Sequence, residues 1–173
     1  MRGIVLIGLR RAGKSTAGRS LAAALGRPFL DTDELVFERT GRTAGRWIAE
    51  SGIATFRAIE RAIVAAAVAT PGAVVAAGGG APLDPRSRDL FAAYGDVLYL
   101  RADPFVLQER AARDPAADAR PVLGDGSAAD ECFRLFAERD AAYFALCRGV
   151  VDASGPAEST LAAILARLAN FKN

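Results

Sequence analysis

The sequence predicts an α/β fold of three layers, α/β/α, built on a five-stranded parallel sheet. Three observations carry that expectation. Five apolar runs of strand length punctuate the chain, and longer stretches of helical spacing separate them. The glycine- and charge-rich segments 8–15, 31–33 and 78–80 each follow one of those runs. Strands alternating with helices give a parallel sheet covered on both sides, with ligands at the carboxyl ends of the strands.

Ile4–Ile7 is fully apolar and stops at Gly8, as expected of a strand buried on both faces. From Ser15 to Leu25, Ala17, Leu21 and Leu25 recur at four-residue steps, a helical face, and Gly26 is placed to end it. Phe29–Leu30 reads as a brief second strand running into Asp31-Thr32-Asp33. Helical spacing then covers Glu34 to Thr70, interrupted by Gly41, Gly45 and Gly52. Ala73–Ala77 is the third strand, halted by Gly78-Gly79-Gly80. Asp84-Pro85 caps a helix that Gly95 closes.

Val97–Leu100 is the fourth strand, and Asp103-Pro104 caps the following helix. Asp114–Ala129 is rich in Asp, Ala, Pro and Gly with little apolar content, which predicts a mobile loop. A helix to Cys147, a short strand at Val150-Val151 and a last helix complete the chain. Leu161, Ile164, Leu165 and Leu168 give that helix its expected buried face. With no linker or repeat, residues 1–173 read as a single domain.

The 173 residues carry 22 basic and 20 acidic side chains, a net charge of +2 that creates no long-range field for nucleic acid or anionic lipid. No nucleic-acid or membrane partner is expected. Histidine is absent, which excludes a histidine base, a Ser–His–Asp triad and histidine-held metals. Cys132 and Cys147 lie on one helical stretch, about 22 Å apart at helical rise, too far for a disulfide. Free thiols and the lack of a long apolar stretch lead to a cytoplasmic expectation. No exposed apolar stripe is evident, so a monomer is expected.

Gly8-Leu9-Arg10-Arg11-Ala12-Gly13-Lys14-Ser15 fits the pattern G-x(4)-G-K-[ST]. A loop this tight wraps backbone N–H groups around a phosphate at a helix N-terminus, where the dipole favours negative charge. Gly13 lets the backbone approach, Lys14 reaches the β- and γ-phosphates, and the Ser15 hydroxyl coordinates Mg²⁺. Arg11 is unusual there, because its side chain restricts a backbone that glycine would leave free. It either crowds the phosphates or adds positive charge beside them. Asp31 and Asp33, two apart on what reads as extended chain, are expected to face the same way. Phosphoryl transfer uses one such group for the metal or its waters and another to orient the attacking hydroxyl. As a plain alternative, Asp33 caps the next helix.

Gly8 to Thr16, Asp31-Thr32-Asp33, Phe56-Arg57 with Glu60, Gly78-Gly79-Gly80, Arg120-Pro121, and Glu138-Arg139 ahead of Tyr143 occur in the order seen in shikimate kinases. The chain therefore resembles that family over nearly its whole length. The resemblance implies a P-loop kinase fold, a single kinase domain with a mobile lid at 114–127, and ATP with Mg²⁺ as cofactors. It implies phosphorylation of the 3-hydroxyl of shikimate, a step toward chorismate and the aromatic amino acids.

Residue by residue, it makes Lys14, Asp33 and Arg120 catalytic, with Asp33 as base or orienter of the hydroxyl. Arg11, Ala12, Gly13, Lys14, Ser15, Thr16, Arg110, Arg120 and Pro156 would hold the nucleotide, and Ser15 and Asp31 the metal. Asp33, Arg57, Gly79, Gly80 and Arg139 would hold shikimate, with Glu60 steadying Arg57. Arg110 stacks on adenine against Pro156 in this scheme, or Arg113 serves instead. The chain departs from the family at Arg11, where glycine is usual, and at Ile53, where glutamate is usual. A gluconate-type sugar-acid kinase and a ligand-sensing domain of kinase fold remain as alternatives.

Overall fold

The computed structural model describes residues 1–113 and 128–171. The expected lid at 114–127, with Arg120 in it, lies outside the described residues.

The chain runs β1 (Gly3–Ile7), α1 (Lys14–Leu25), β2 (Phe29–Asp31), α2 (Thr32–Thr40), α3 (Ala44–Val68) and β3 (Val74–Ala76). A 3-10 turn at Ala81–Leu83 leads to α4 (Pro85–Tyr94), β4 (Gly95–Arg101), α5 (Pro104–Ala112), α6 (Ala128–Leu146), β5 (Gly149–Asp152) and α7 (Ala157–Asn170). The strands form one parallel sheet in the order β2-β3-β1-β4-β5. Every residue of β1 is buried, which follows from its central place and its unbroken apolar run. Helix α1 packs with α7, α3 packs with α4, and α1, α4, α6 and α7 all reach the sheet. After β1 the chain builds one side of the sheet with β2 and β3, then crosses to β4. The crevice at the carboxyl end of β1 is therefore the switch point where ligands bind in open parallel sheets.

Two helix ends behave as read. Gly26 takes left-handed backbone at φ 61° after α1, and Asp84 caps α4 by accepting from Ser87 N at 2.9 Å. Other expectations need correction. Helical spacing from Glu34 to Thr70 is two helices, parted where Gly41 adopts φ 67°. Helix α2 starts at Thr32, so Asp33 is its second residue and is not extended. The cap is Asp31, whose Oδ1 accepts from Asp33 N at 2.9 Å and Glu34 N at 3.4 Å. A strand-to-helix junction this abrupt turns Asp33 by the helical rotation, and the alternating-side argument fails. In α7 Thr160 and Ile164 are buried and Leu161 and Leu168 pack against the core as expected, while Leu165 is exposed. Cys132 and Cys147 are free thiols, as their spacing required.

A second small core sits outside the sheet. Val36, Phe56 and Ile63 pack together with Trp47, Ile48 and Ile59, joining α2 to α3. Trp47 Nε1 donates to Thr40 Oγ1 at 2.9 Å and fastens the start of α3 to the end of α2. Within α3, Gly52 adopts φ 80° and ψ 160°, which splits the helix and turns the segment bearing Phe56, Arg57 and Glu60. This backbone region is essentially reserved to glycine.

A Cβ at Gly52 would meet nothing within 4 Å, so any penalty for a side chain there is backbone strain alone. Gly52→Ala is expected to lower stability by about 1–3 kcal/mol, read by chemical denaturation. A Gly52→Ala protein as stable as the parent would show that the kink is not demanded by the fold.

Candidate active site

The turn between β1 and α1 closes around the start of the helix. Gly13 precedes α1 with φ 84°, and no side chain caps the helix N-terminus. The first-turn N–H groups are thus left for an anion, which the helix dipole also favours. Lys14 folds back over the loop, donating from Nζ to the carbonyls of Gly8 (3.0 Å) and Leu9 (2.8 Å). Burial pushes its ammonium below the ordinary lysine value, while Asp33 and Asp31 act against that shift. A half-buried cation held by two neutral carbonyls at the wall of a cleft is placed to receive an anionic ligand.

Arg11 sits in left-handed backbone at φ 64°, the one non-glycine residue with positive φ among the described residues. That settles one part of the sequence question, because the loop keeps a glycine-type conformation with arginine in place. Arg10 approaches Glu131 of α6 at 4.0 Å, a contact the sequence gave no means of pairing.

Ser15 Oγ donates to Asp31 Oδ2 at 2.6 Å, while Asp31 Oδ1 is occupied by the α2 cap. A hydroxyl and one carboxylate oxygen side by side at the phosphate turn suit a hard, oxygen-seeking cation that keeps several waters. The two residues expected to hold Mg²⁺ are therefore adjacent and chemically fitting. Arg11, Gly13, Lys14, Ser15, Asp31 and Asp33 line a cleft of about 570 Å³. A second cleft of about 410 Å³ adjoins it, with Arg11, Gly13 and Thr16 as shared wall. Ala12, Arg110 and Pro156 line this second cleft as well. An elongated ligand with a charged middle fits such a pair.

Arg110 donates to three backbone carbonyls, of Arg11 (3.0 Å), Ser154 (3.2 Å) and Gly155 (2.9 Å). These in-plane bonds fix its guanidinium and leave the flat faces for stacking. Arg113 instead lies outside the set lining the cleft, four-fifths exposed and 3.7 Å from Glu109.

The remaining predicted residues gather at the triple glycine that follows β3. Gly78 N donates to Thr32 Oγ1 at 2.8 Å, which ties the ends of β3 and β2 together. Nothing in the local sequence pattern marks Thr32 for this contact, which spans 46 positions. A Cβ at Gly78 would lie 2.7 Å from Asp33 Oδ1 and 3.2 Å from Glu60 Oε1, and one at Gly80 would overlap the Arg57 guanidinium. The glycines are thus needed because charged side chains crowd the backbone from several directions. Arg57 is ion-paired with buried Glu60, as the three-residue spacing implied. Burial pushes the Glu60 carboxyl above the usual range, opposed by the Arg57 charge. Arg139, 8% exposed, donates from Nη1 to the Gly79 carbonyl at 3.1 Å, and its Nε makes no hydrogen bond among the described residues. Asp33, Arg57, Gly79, Gly80 and Arg139 therefore form one cluster, reached from α2, α3, the β3 end and α6. Ile53 is half exposed on α3.

Comparison with known proteins follows the same lines. A family model described as shikimate kinase matches residues 10–169. The chain is 40% identical to a shikimate kinase of Oleidesulfovibrio alaskensis over 169 residues, 98% of each chain. It is 37% identical to shikimate kinase 2 of Yersinia enterocolitica, covering 98% of this chain and 97% of that one. A shikimate kinase from Acinetobacter baumannii, solved in complex with shikimate, superposes with a TM-score of 0.89 at 29% identity. That match covers 100% of this chain and 95% of the other.

Because Arg11→Gly and Arg11→Ala delete the same charge, their difference isolates the left-handed backbone. Arg11→Gly is expected to be more stable than Arg11→Ala by about 1 kcal/mol, measured by urea denaturation. Equal stabilities would mean that the loop relaxes out of the left-handed region when alanine is introduced.

Proposed function

The chain belongs to the shikimate kinase family, and from that premise we propose that it transfers the γ-phosphoryl group of ATP to the 3-hydroxyl of shikimate. The products are shikimate 3-phosphate and ADP, on the route to chorismate and the aromatic amino acids. The observation that carries the substrate is the convergence of Arg57 and Arg139 on Gly79-Gly80 beside Asp33. Two planar guanidinium groups at one spot suit a carboxylate, which each can bind through paired hydrogen bonds.

The nucleotide would lie across the two clefts, its phosphates against Lys14 and the open start of α1. Lys14 would exchange its two carbonyl partners for phosphate oxygens. Arg110 and Pro156 would take adenine between them, and Arg11, Ala12, Gly13 and Thr16 the phosphates and neighbouring sugar. Ser15 and Asp31 would hold Mg²⁺, Asp31 through a bound water; the ion neutralises phosphate charge when present. Asp33 would accept a hydrogen bond from the acceptor hydroxyl. Since the transition state is loose and needs little early proton removal, alignment is the larger part of its contribution. Arg120, in the lid proposed for 114–127, would approach the transferred phosphoryl group on closure and help exclude water.

The reading includes a single kinase domain over residues 1–173, acting as a cytoplasmic monomer. Among the described residues no helix is long and apolar enough to cross a membrane. Gel filtration should give one species near 18.1 kDa.

Two substitutions separate binding from turnover. Arg139→Ala should raise the KM for shikimate about 10- to 100-fold while the KM for ATP holds. Asp33→Asn should lower kcat about 10²- to 10⁴-fold with ADP binding intact by calorimetry. The parent assay, ADP release with shikimate against gluconate, tests the reaction itself. Turnover with gluconate alone, or with neither acid, would overturn the proposal.

A further inference from the structure

Arg139 and Gly79 are placed by a third residue that takes no part in the scheme above. Tyr143 is completely buried on α6, one helical turn after Arg139. Its hydroxyl donates to the Gly79 carbonyl at 2.5 Å, and Arg139 Nη1 donates to the same oxygen at 3.1 Å. A carbonyl oxygen has two lone pairs, and here both are filled from one helix face. Residues four apart on a helix point the same way, so α6 grips this peptide with two adjacent side chains.

The consequences are geometric. No cis peptide bond is present among the described residues, so the Gly79–Gly80 unit is trans and its carbonyl and N–H point in opposite directions. Fixing the Gly79 carbonyl on α6 sends the Gly80 N–H away from that helix. The same bond holds Arg139 by Nη1 and fixes the plane of its guanidinium, whose Nε is buried without a hydrogen-bond partner among the described residues. Glycine at three successive positions would otherwise let this peptide rotate freely. The Tyr143 ring is itself held, lying edge-on to Tyr99 at 5.1 Å, and Tyr99 donates to Asp140 Oδ1 at 2.8 Å. Arg101 Nε reaches that same Asp140 oxygen at 3.0 Å. Burial pushes the Tyr143 phenol up, with Arg139 acting against the shift, and the protonated donor is the form present at neutral pH.

We propose that Tyr143 is a positioning residue for the acid substrate, orienting both Arg139 and the Gly79–Gly80 peptide through one shared carbonyl. The inference rests on the substrate reading above. Tyr143 acts through Arg139 and Gly79, which the scheme above assigns to the acid, so its effect is expected chiefly on that substrate.

The test is a double-mutant cycle of Tyr143→Phe and Arg139→Ala, assayed by steady-state kinetics with both substrates varied. Phenylalanine fills the same space and removes only the hydroxyl. Tyr143→Phe should raise the KM for shikimate about fivefold and leave the KM for ATP within about twofold. Added to Arg139→Ala it should produce a smaller rise than in the parent, because only its hold on the Gly79–Gly80 peptide is left to lose. Multiplying effects, an unchanged KM for shikimate, or equal losses for both substrates would each overturn the role. A melting-temperature scan of the same proteins covers a merely structural tyrosine: a lowered Tm with unaltered KM also counts against the proposal. A parent enzyme without shikimate-dependent ADP release would remove the substrate reading and this inference with it. An active parent with an indifferent Tyr143→Phe would remove the inference alone.

Discussion

The uncapped start of α1, set after the fully buried central strand of the sheet, is the constraint that organises this molecule. Helix N–H groups without a side-chain cap and a partly buried lysine ammonium at the wall of a cleft together favour an anion there. The turn that creates the site takes left-handed backbone at both Arg11 and Gly13. Strain of this kind persists only where the surroundings fix it. Here the central strand fixes one end, α1 the other, and Arg110 holds the Arg11 carbonyl from outside.

Around that turn the acidic residues divide their work by geometry. Asp31 spends one oxygen on the cap of α2 and leaves the other beside Ser15. Asp33, one helical step on, swings toward the triple glycine and Glu60. The abrupt passage from β2 into α2 therefore gives two neighbouring carboxylates different contacts, Asp31 with Ser15 and Asp33 near Gly78, while both still line the cleft by Lys14. A longer loop would let both carboxylates compete for the same place.

The cluster proposed to bind the acid is built from elements far apart in sequence that meet on glycine backbone. Gly78, Gly79 and Gly80 present no side chains, so Asp33, Glu60, Arg57, Arg139 and Tyr143 all come within contact of one short segment. Burying this much charge is unfavourable unless each group finds a partner. The Arg57–Glu60 pair and the Gly79 carbonyl that accepts from Arg139 supply partners. The small core of Val36, Phe56 and Ile63, with the bend at Gly52, carries Arg57 and Glu60 to that segment.

By itself the sequence determined the layered fold, the five strands and the phosphate turn, because these rest on local patterns: apolar runs, helical spacing and glycine placement. Ile4–Ile7, Gly26 and Asp84-Pro85 needed no distant partner to be read correctly. Through ordered motifs the sequence also pointed to Asp33, Arg57, Gly79, Gly80 and Arg139, which the fold brings close together. Only the tertiary structure decided how they meet. Whether Asp31 or Asp33 caps α2 depends on where the strand stops, and that is set by pairing with β3. The exposure of Leu165 depends on how far α7 lies over the sheet. The contacts Thr32 to Gly78, Arg10 to Glu131 and Tyr143 to Gly79 span 46, 121 and 64 positions, respectively. No periodicity or spacing rule reaches that far, since such pairs are fixed by the packing of whole elements against one another.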